Sequence, residues 1–221
     1  MILSPLLKLL RDSAFTLALT FCLAASAAER GNPDPIAPQE AKPPHPEAIG
    51  TLRHQARGLL LDGDYQGSIA MYRSIVDRTP MDAQSHYDLA AALSFLRFYV
   101  DAVEPIREAI RLRPDYVEAH KVAAIIYLHL GQVSAALAPT LRAAELGDTA
   151  SMYELVWFYT AGKGIDVDEQ AAFLWVERAA NHNHVAAMDL MTDIYRNGLY
   201  GQEVDPNKSA QWAERAYRAR Q

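Results

Sequence analysis

The stretch Gly147–Ala180 reads GDTASMYELVWFYTAGKGIDVDEQAAFLWVERAA, and a version of it returns over Asn183–Tyr217. Tyr159 and Tyr195 lie 36 residues apart, Trp175 and Trp212 37. Apolar residues recur at helical spacing on both sides of a glycine-bearing break, so each copy predicts one helical hairpin. Gly162 and Gly164, and then Gly198 and Gly201, give the inter-helix loop access to positive φ. Asp168 and Asp205 stand where a carboxylate caps the following helix and favours its positive end. Pro206 then suits the first helical position.

Upstream, the same kind of unit returns with a shorter period. Gly63-Asp64-Tyr65 opens a segment carrying Ile69, Tyr72, Val76 and Pro80. Thirty-four residues on come Tyr99, Val103, Ile106, Ile110 and Pro114, and after a second such step Gly131 and Val133. His86 and His120 keep this spacing, as do Pro105 and Pro139. Both prolines fall inside a second helix, where a missing N–H predicts a bend in the outer layer. Thr79-Pro80-Met81-Asp82 and Arg113-Pro114-Asp115 carry the stop and start signals between units. Five hairpins, ten helices in all, follow from this reading. No single hairpin buries its own apolar face, so the stack is the folding unit. Residues 122–130 are apolar nearly all round, which predicts a central helix covered on several sides. Lys208, Gln211, Arg215 and Arg218 form a polar stripe on the last helix, the expected cap of the stack.

Over 49–148 these units resemble tetratricopeptide repeats. Leu52, His86 and His120 stand where that family often has Trp, and Ala56, Ala90 and Ala124 where it has Gly. From Ala150 onward the pattern Leu155, Tyr159, Gly162, Gly164, Asp168, Ala172, Trp175, Ala179 resembles a Sel1-like repeat, and Met191, Tyr195, Gly198, Gly201, Asp205, Trp212, Ala216 repeat it. Val156 and Thr192 replace a usual glycine of that family, which implies a wider helix crossing. The resemblance implies an all-α fold, a right-handed α-solenoid of about five antiparallel helix pairs. Three would be tetratricopeptide-like, over 47–148, and two Sel1-like, over 149–221, in one continuous stack.

Residues 1–28 read as a secretory signal peptide. Lys8 and Arg11 precede a 12-residue apolar run, Ala14–Ala25, and small residues allow cleavage after Ala27 or Ala28. As a helix that run would rise about 18 Å, short of a roughly 30 Å hydrocarbon core. Cys22, the single cysteine, lies within it, so the mature chain is expected to fold without disulfides or thiol chemistry. Glu29–Pro46 holds six prolines and reads as an extended linker. The net charge is −6, and loss of the leader makes it one unit more negative, which argues against a nucleic-acid partner. The mature chain shows no apolar run long enough for a membrane span. The expected address is periplasmic or secreted.

No constellation of catalytic residues stands out, and no cofactor is implied. His182-Asn-His184 lacks a third ligand and reads as a solvated loop. Asp166, Asp168 and Glu169 are explained by capping and solvation. Trp175 and Trp212 read as core packing rather than as a stacking platform. The resemblance implies that the first helix of each pair lines a concave groove. Its fifth position gives Arg53, Tyr87, Lys121, Tyr153 and Asp189. Its ninth gives Arg57, Ala91, Ile125, Trp157 and Asp193, and its thirteenth adds Phe95 and His129. The row runs from basic through aromatic to acidic. It predicts a protein or peptide partner, with Arg53, Arg57 and Lys121 meeting carboxylates and Tyr87, Tyr153 and Trp157 supplying anchors. The expected function is a non-enzymatic scaffold of the bacterial cell envelope. The other reading is a binder or hydrolase of cell-wall or exopolysaccharide material, with Tyr153 and Trp157 stacking on sugars and Asp189 and Asp193 as the acid–base pair.

Overall fold

The computed structural model describes residues 46–162 and 164–221. The predicted signal peptide and the linker up to residue 45 lie outside the described residues. Among those described there are ten helices and no strands. They are α1 (Pro46–Leu61), α2 (Tyr65–Arg78), α3 (Ala83–Phe95), α4 (Tyr99–Leu112), α5 (Val117–His129), α6 (Val133–Glu145), α7 (Thr149–Ala161), α8 (Glu169–Asn181), α9 (Val185–Asn197) and α10 (Pro206–Ala219). Each packs on its neighbours in chain order, and α3 also touches α5. The architecture is an α-solenoid of antiparallel pairs. No described helix is long and apolar enough to cross a membrane.

The same two helix positions are buried in every pair. Ala56, Ala90, Ala124, Val156 and Thr192, each seven residues into the first helix or its equivalent, are buried. So are Ser68, Ala102, Ala136, Ala172 and Ser209, each three residues into the second. In the first hairpin the Ser68 hydroxyl donates to the Ala56 carbonyl at 2.8 Å, and in the last the Ser209 hydroxyl donates to the Thr192 carbonyl at 2.9 Å. These hydroxyls tie the two helices of the pair together.

The pairs close in two ways. In the first three, one residue takes left-handed φ: Gly63 at 85°, Arg97 at 63° and Gly131 at 71°. The amide after it then reaches back across the turn, from Asp64 to the Leu59 carbonyl, Phe98 to Leu93 and Gln132 to Tyr127, at 2.8–2.9 Å. In the last two, longer loops carry left-handed residues at Gly162, Gly164, Gly198, Tyr200 and Gly201. The loops close when the Asp168 and Asp205 amides donate to the Tyr159 and Tyr195 carbonyls, at 3.0 and 2.8 Å. The same two aspartates cap α8 and α10, as expected from the sequence, and Pro206 opens α10.

Several sequence expectations need correction. Pro46, assigned to the linker, is the first residue of α1. Asp82 caps α3, but α5 starts from Tyr116, without a side-chain cap, rather than from Asp115. The helix spanning 122–130 is covered on several sides, as expected, with Ala123, Ala124 and Ile126 buried and Ile125 left 44% exposed. Trp175 and Trp212 pack against the core, as expected, but half-buried, each under an arginine three residues on. His86 and His120 are structural, as expected. Each ring Nε2 lies 2.9 Å from a proline carbonyl six residues earlier, Pro80 or Pro114, and fastens the turn between hairpins.

The buried side chains form two clusters. One runs from Ile49 to Ile126 and the other from Ala136 to Ala216. They divide inside the third hairpin, with α5 in the first and α6 in the second. Tyr127 packs against both.

Candidate functional site

The ten groove residues expected from the sequence fall into three groups. The first comprises charges already paired within the chain. Arg53 bridges Asp82 and Asp88, its Nε 2.9 Å from Asp88, and donates to the Ser85 hydroxyl at 2.9 Å. Burial, opposed by Gln84 and the arginines, pushes the Asp88 carboxyl above its usual range. Burial also acts upward on Asp82, but bonds from Ser85 and Arg53 outweigh it and hold that carboxyl low. Lys121 donates to Asp148 at 2.8 Å, and Asp148 in turn caps α7 through the Ser151 amide. At the acidic end, Asp189 pairs with Arg220 and Asp193 with Arg196. The basic-to-acidic row is thus largely neutralised from within.

The second group comprises aromatic rings engaged by neighbours. Tyr87 packs on Tyr116, with centroids 4.9 Å apart. Burial, with Tyr87 and Asp88 nearby, pushes the Tyr116 hydroxyl up to about 12, and that hydroxyl donates to Gln84 at 2.8 Å. His129 stacks on Tyr99 at 4.4 Å. Tyr153 stacks on His184 at 4.9 Å. His184 is not a solvated loop residue. Its Nδ1 accepts the Ala187 amide at 3.2 Å and caps α9, and burial lowers its pKa. Its neighbour His182 places Nδ1 2.9 Å from the Arg178 carbonyl. No group of three metal-ligating residues is present among the described residues.

The third group remains open. Phe95 is 71% exposed and Trp157 45%, with Ile125 between them in the stack. Arg57 makes no ion pair among the described residues, although its charge acts on Tyr72 and Asp88. Arg57, Tyr87 and Phe95 come together on one cleft of about 270 Å³, with Tyr72 and Asp88 on its wall. Ile125 belongs with these residues. Its place at the ninth helix position, one repeat before Trp157, is the signal that links them.

A larger cleft, of about 430 Å³, opens elsewhere, among α4, α5 and α6. It is lined chiefly by apolar atoms, with Arg107 and Arg111 among its residues. The groove positions do not point to it, but Pro139 does. Pro139 stands 36 residues before Trp175, and a further 37 lead to Trp212.

No family model matches the chain. The inactive TPR repeat-containing thioredoxin TTL3 of Arabidopsis thaliana is 28% identical over 104 residues, 47% of this chain and 15% of its own. The chain therefore spans only a small part of the curated relatives it matches. Among solved structures, a Sel1 repeat protein from Oxalobacter formigenes superposes with a TM-score of 0.59 at 19% identity, over 79% of this chain and 73% of its own. YrrB, described as a TPR protein with an unusual peptide-binding site, superposes at 0.54 and 16% identity, over 78% and 90%. The chain has the tetratricopeptide/Sel1-like repeat fold. The ten described helices pair as five hairpins, and the first helix of each carries two of the residues from Arg53 to Asp193.

Proposed function

We propose that this repeat protein is a non-enzymatic interaction scaffold of the bacterial cell envelope, holding an extended segment of a partner protein along its first helices. The observation that carries this reading is the exposure of Phe95, Ile125 and Trp157 on three successive first helices, a row along the stack. Beside it, Arg53, Lys121, Asp189 and Asp193 are already ion-paired. Partner recognition then rests on apolar anchors, with Arg57 as the cation best placed to meet a carboxylate. Rigid aromatic anchors carry much of the energy in such interfaces, about 2 kcal/mol each where they are well buried. The peptide-binding site named for YrrB supports the reading by analogy of fold. A catalytic role has less support, because Asp189 and Asp193 are exposed and each faces an arginine rather than a closed pocket.

The test is capture of partners from the envelope fraction, with crosslinks mapped to the row. The variant combines Phe95→Ala, Trp157→Ala and Arg57→Glu. Arg53 stays intact, because among the described residues it alone is ion-paired with both Asp82 and Asp88, and its loss would confuse binding with folding. Partner affinity is expected to fall by about 100-fold or more. Equal capture by the folded triple variant would remove the groove as the site. Export is tested separately: the mature protein should begin at Ala28 or Glu29.

A further inference from the structure

The cleft among α4, α5 and α6 has an internal template. Seven residues define each second helix up to the same place, and there the last three hairpins carry Pro139, Trp175 and Trp212. Three residues further on all three carry arginine: Arg142, Arg178 and Arg215. Arg178 lies over the Trp175 ring at 5.2 Å and Arg215 over Trp212 at 4.1 Å. Both rings pack against the core of their hairpins. In the third hairpin the arginine is kept, but Pro139 supplies no ring. A cleft of about 430 Å³ opens there, walled by Ile110, Ala123, Tyr127, Ala135 and Pro139.

Its polar groups include two acceptors short of a donor. Proline has no N–H, so the Ala135 carbonyl has no partner four residues on. His120 also lines the cleft and is only 6% exposed. Its Nε2 faces the Pro114 carbonyl, which can only accept, so Nε2 carries the proton. Its Nδ1 is then a bare acceptor and has no partner. An indole is an apolar ring with one N–H and no acceptor. Arg107 and Arg111 flank the cleft in exposed pairs with Glu104 and Glu108. The single bond of Arg107 to Glu104 is exposed and worth little, so Arg107 is free to turn to an acidic residue beside the ring.

We propose that this cleft is a docking site for a tryptophan side chain of a partner protein, flanked by acidic residues, seated as Trp175 and Trp212 are seated in the next two hairpins. The site lies apart from the Phe95–Trp157 row and stands whether or not that row binds a partner.

The probe is the peptide acetyl-Glu-Trp-Glu-amide, titrated into the full chain while the methyl resonances of Ile110, Ala123 and Ala135 are followed. Millimolar or tighter binding is expected, with shifts confined to those methyls. The alanine-centred peptide should not bind, and methylating the indole nitrogen should weaken binding about tenfold by removing its donor. Pro139→Trp should fill the cleft from within and abolish binding. Ala135→Leu, on the exposed rim, should weaken it about tenfold and decides the matter if Pro139→Trp does not fold. Trp157→Ala should leave it unchanged. Absence of shifts, shifts at the Trp157 row instead, or binding unaffected by Ala135→Leu would each overturn the proposal.

Discussion

The third and fourth hairpins adjoin in the stack and treat the same two places differently. Between its helices the third turns on one left-handed glycine, Gly131, with open space where a Cβ would be. The fourth turns through Gly162 and Gly164, and a Cβ on Gly164 would come within 2.6 Å of the Ser134 backbone in α6. On the outer face the third presents Pro139 and a cleft, the fourth Trp175 under Arg178. The third also divides between two cores, while the fourth lies wholly in one. Hairpins of one fold can therefore differ in how firmly each is tied to its neighbour. The first three hairpins rely on short turns, and the last two add longer loops and half-buried rings.

The largest effect expected from this contrast is in the cores. Phe158→Ala empties a fully buried site in the C-terminal cluster and should cost about 3–5 kcal/mol. Ile106→Ala does the same in the N-terminal cluster, at about 2–5 kcal/mol. In a stack held by nearest-neighbour contacts, hydrogen exchange should rise mainly in the half that carries the substitution. Equal loss across both halves would show that Tyr127 couples the two cores into one unit.

Next come the turns. Gly164→Ala meets both positive φ and the Ser134 backbone, and should cost about 3 kcal/mol by denaturant midpoint. Gly131→Ala meets only the φ penalty, about 1 kcal/mol. Similar costs at the two positions would mean that the Gly164 loop yields and does not hold α6.

Acid should act on the caps. Asp82 and Asp148 are held below their usual 3.8 in the folded chain, where bonds to Ser85 and Arg53, and to Lys121 and Ser151, outweigh burial. Their contribution is therefore present above pH 3.8 and is lost as pH falls through the lower folded values. Asp148→Ala should remove about 1 kcal/mol at neutral pH and flatten the acid limb. An unchanged limb would leave the Lys121–Asp148 pair without energetic weight. The smallest effect is at Arg97, a non-glycine residue at φ 63° between Gly63 and Gly131 in the repeat. Arg97→Gly should gain about 0.5–1 kcal/mol in thermal unfolding, and a loss would show that the arginine side chain matters more than its backbone.

Much of this contrast was legible along the chain. The longer period announced the longer loops, and Gly162, Gly164, Gly198 and Gly201 announced their positive φ, because both features are local. Asp168, Asp205 and Pro206 could be assigned for the same reason: a cap acts within three residues of itself. The left-handed turn at Arg97 was missed because arginine gives no such signal, although its place between Gly63 and Gly131 did. The pairing of Arg53 with Asp82, Lys121 with Asp148 and Asp189 with Arg220 was missed because each spans a whole repeat. The cleft at Pro139 was hidden because it is defined by a missing ring, visible only when the tryptophan register is carried back one hairpin.

The sequence by itself determined that Gly147–Ala180 is a hairpin, that it stands in a stack of such hairpins, and how the glycine-marked turns are made. Periodicity, caps and glycines act over a few residues, so they are written in order along the chain. Tertiary structure alone decided which charges are spent inside the fold, which rings remain exposed and where the outer face opens. Those outcomes depend on residues about 30 positions apart being brought within a hydrogen bond of each other, and only the stacking of one hairpin on the next does that.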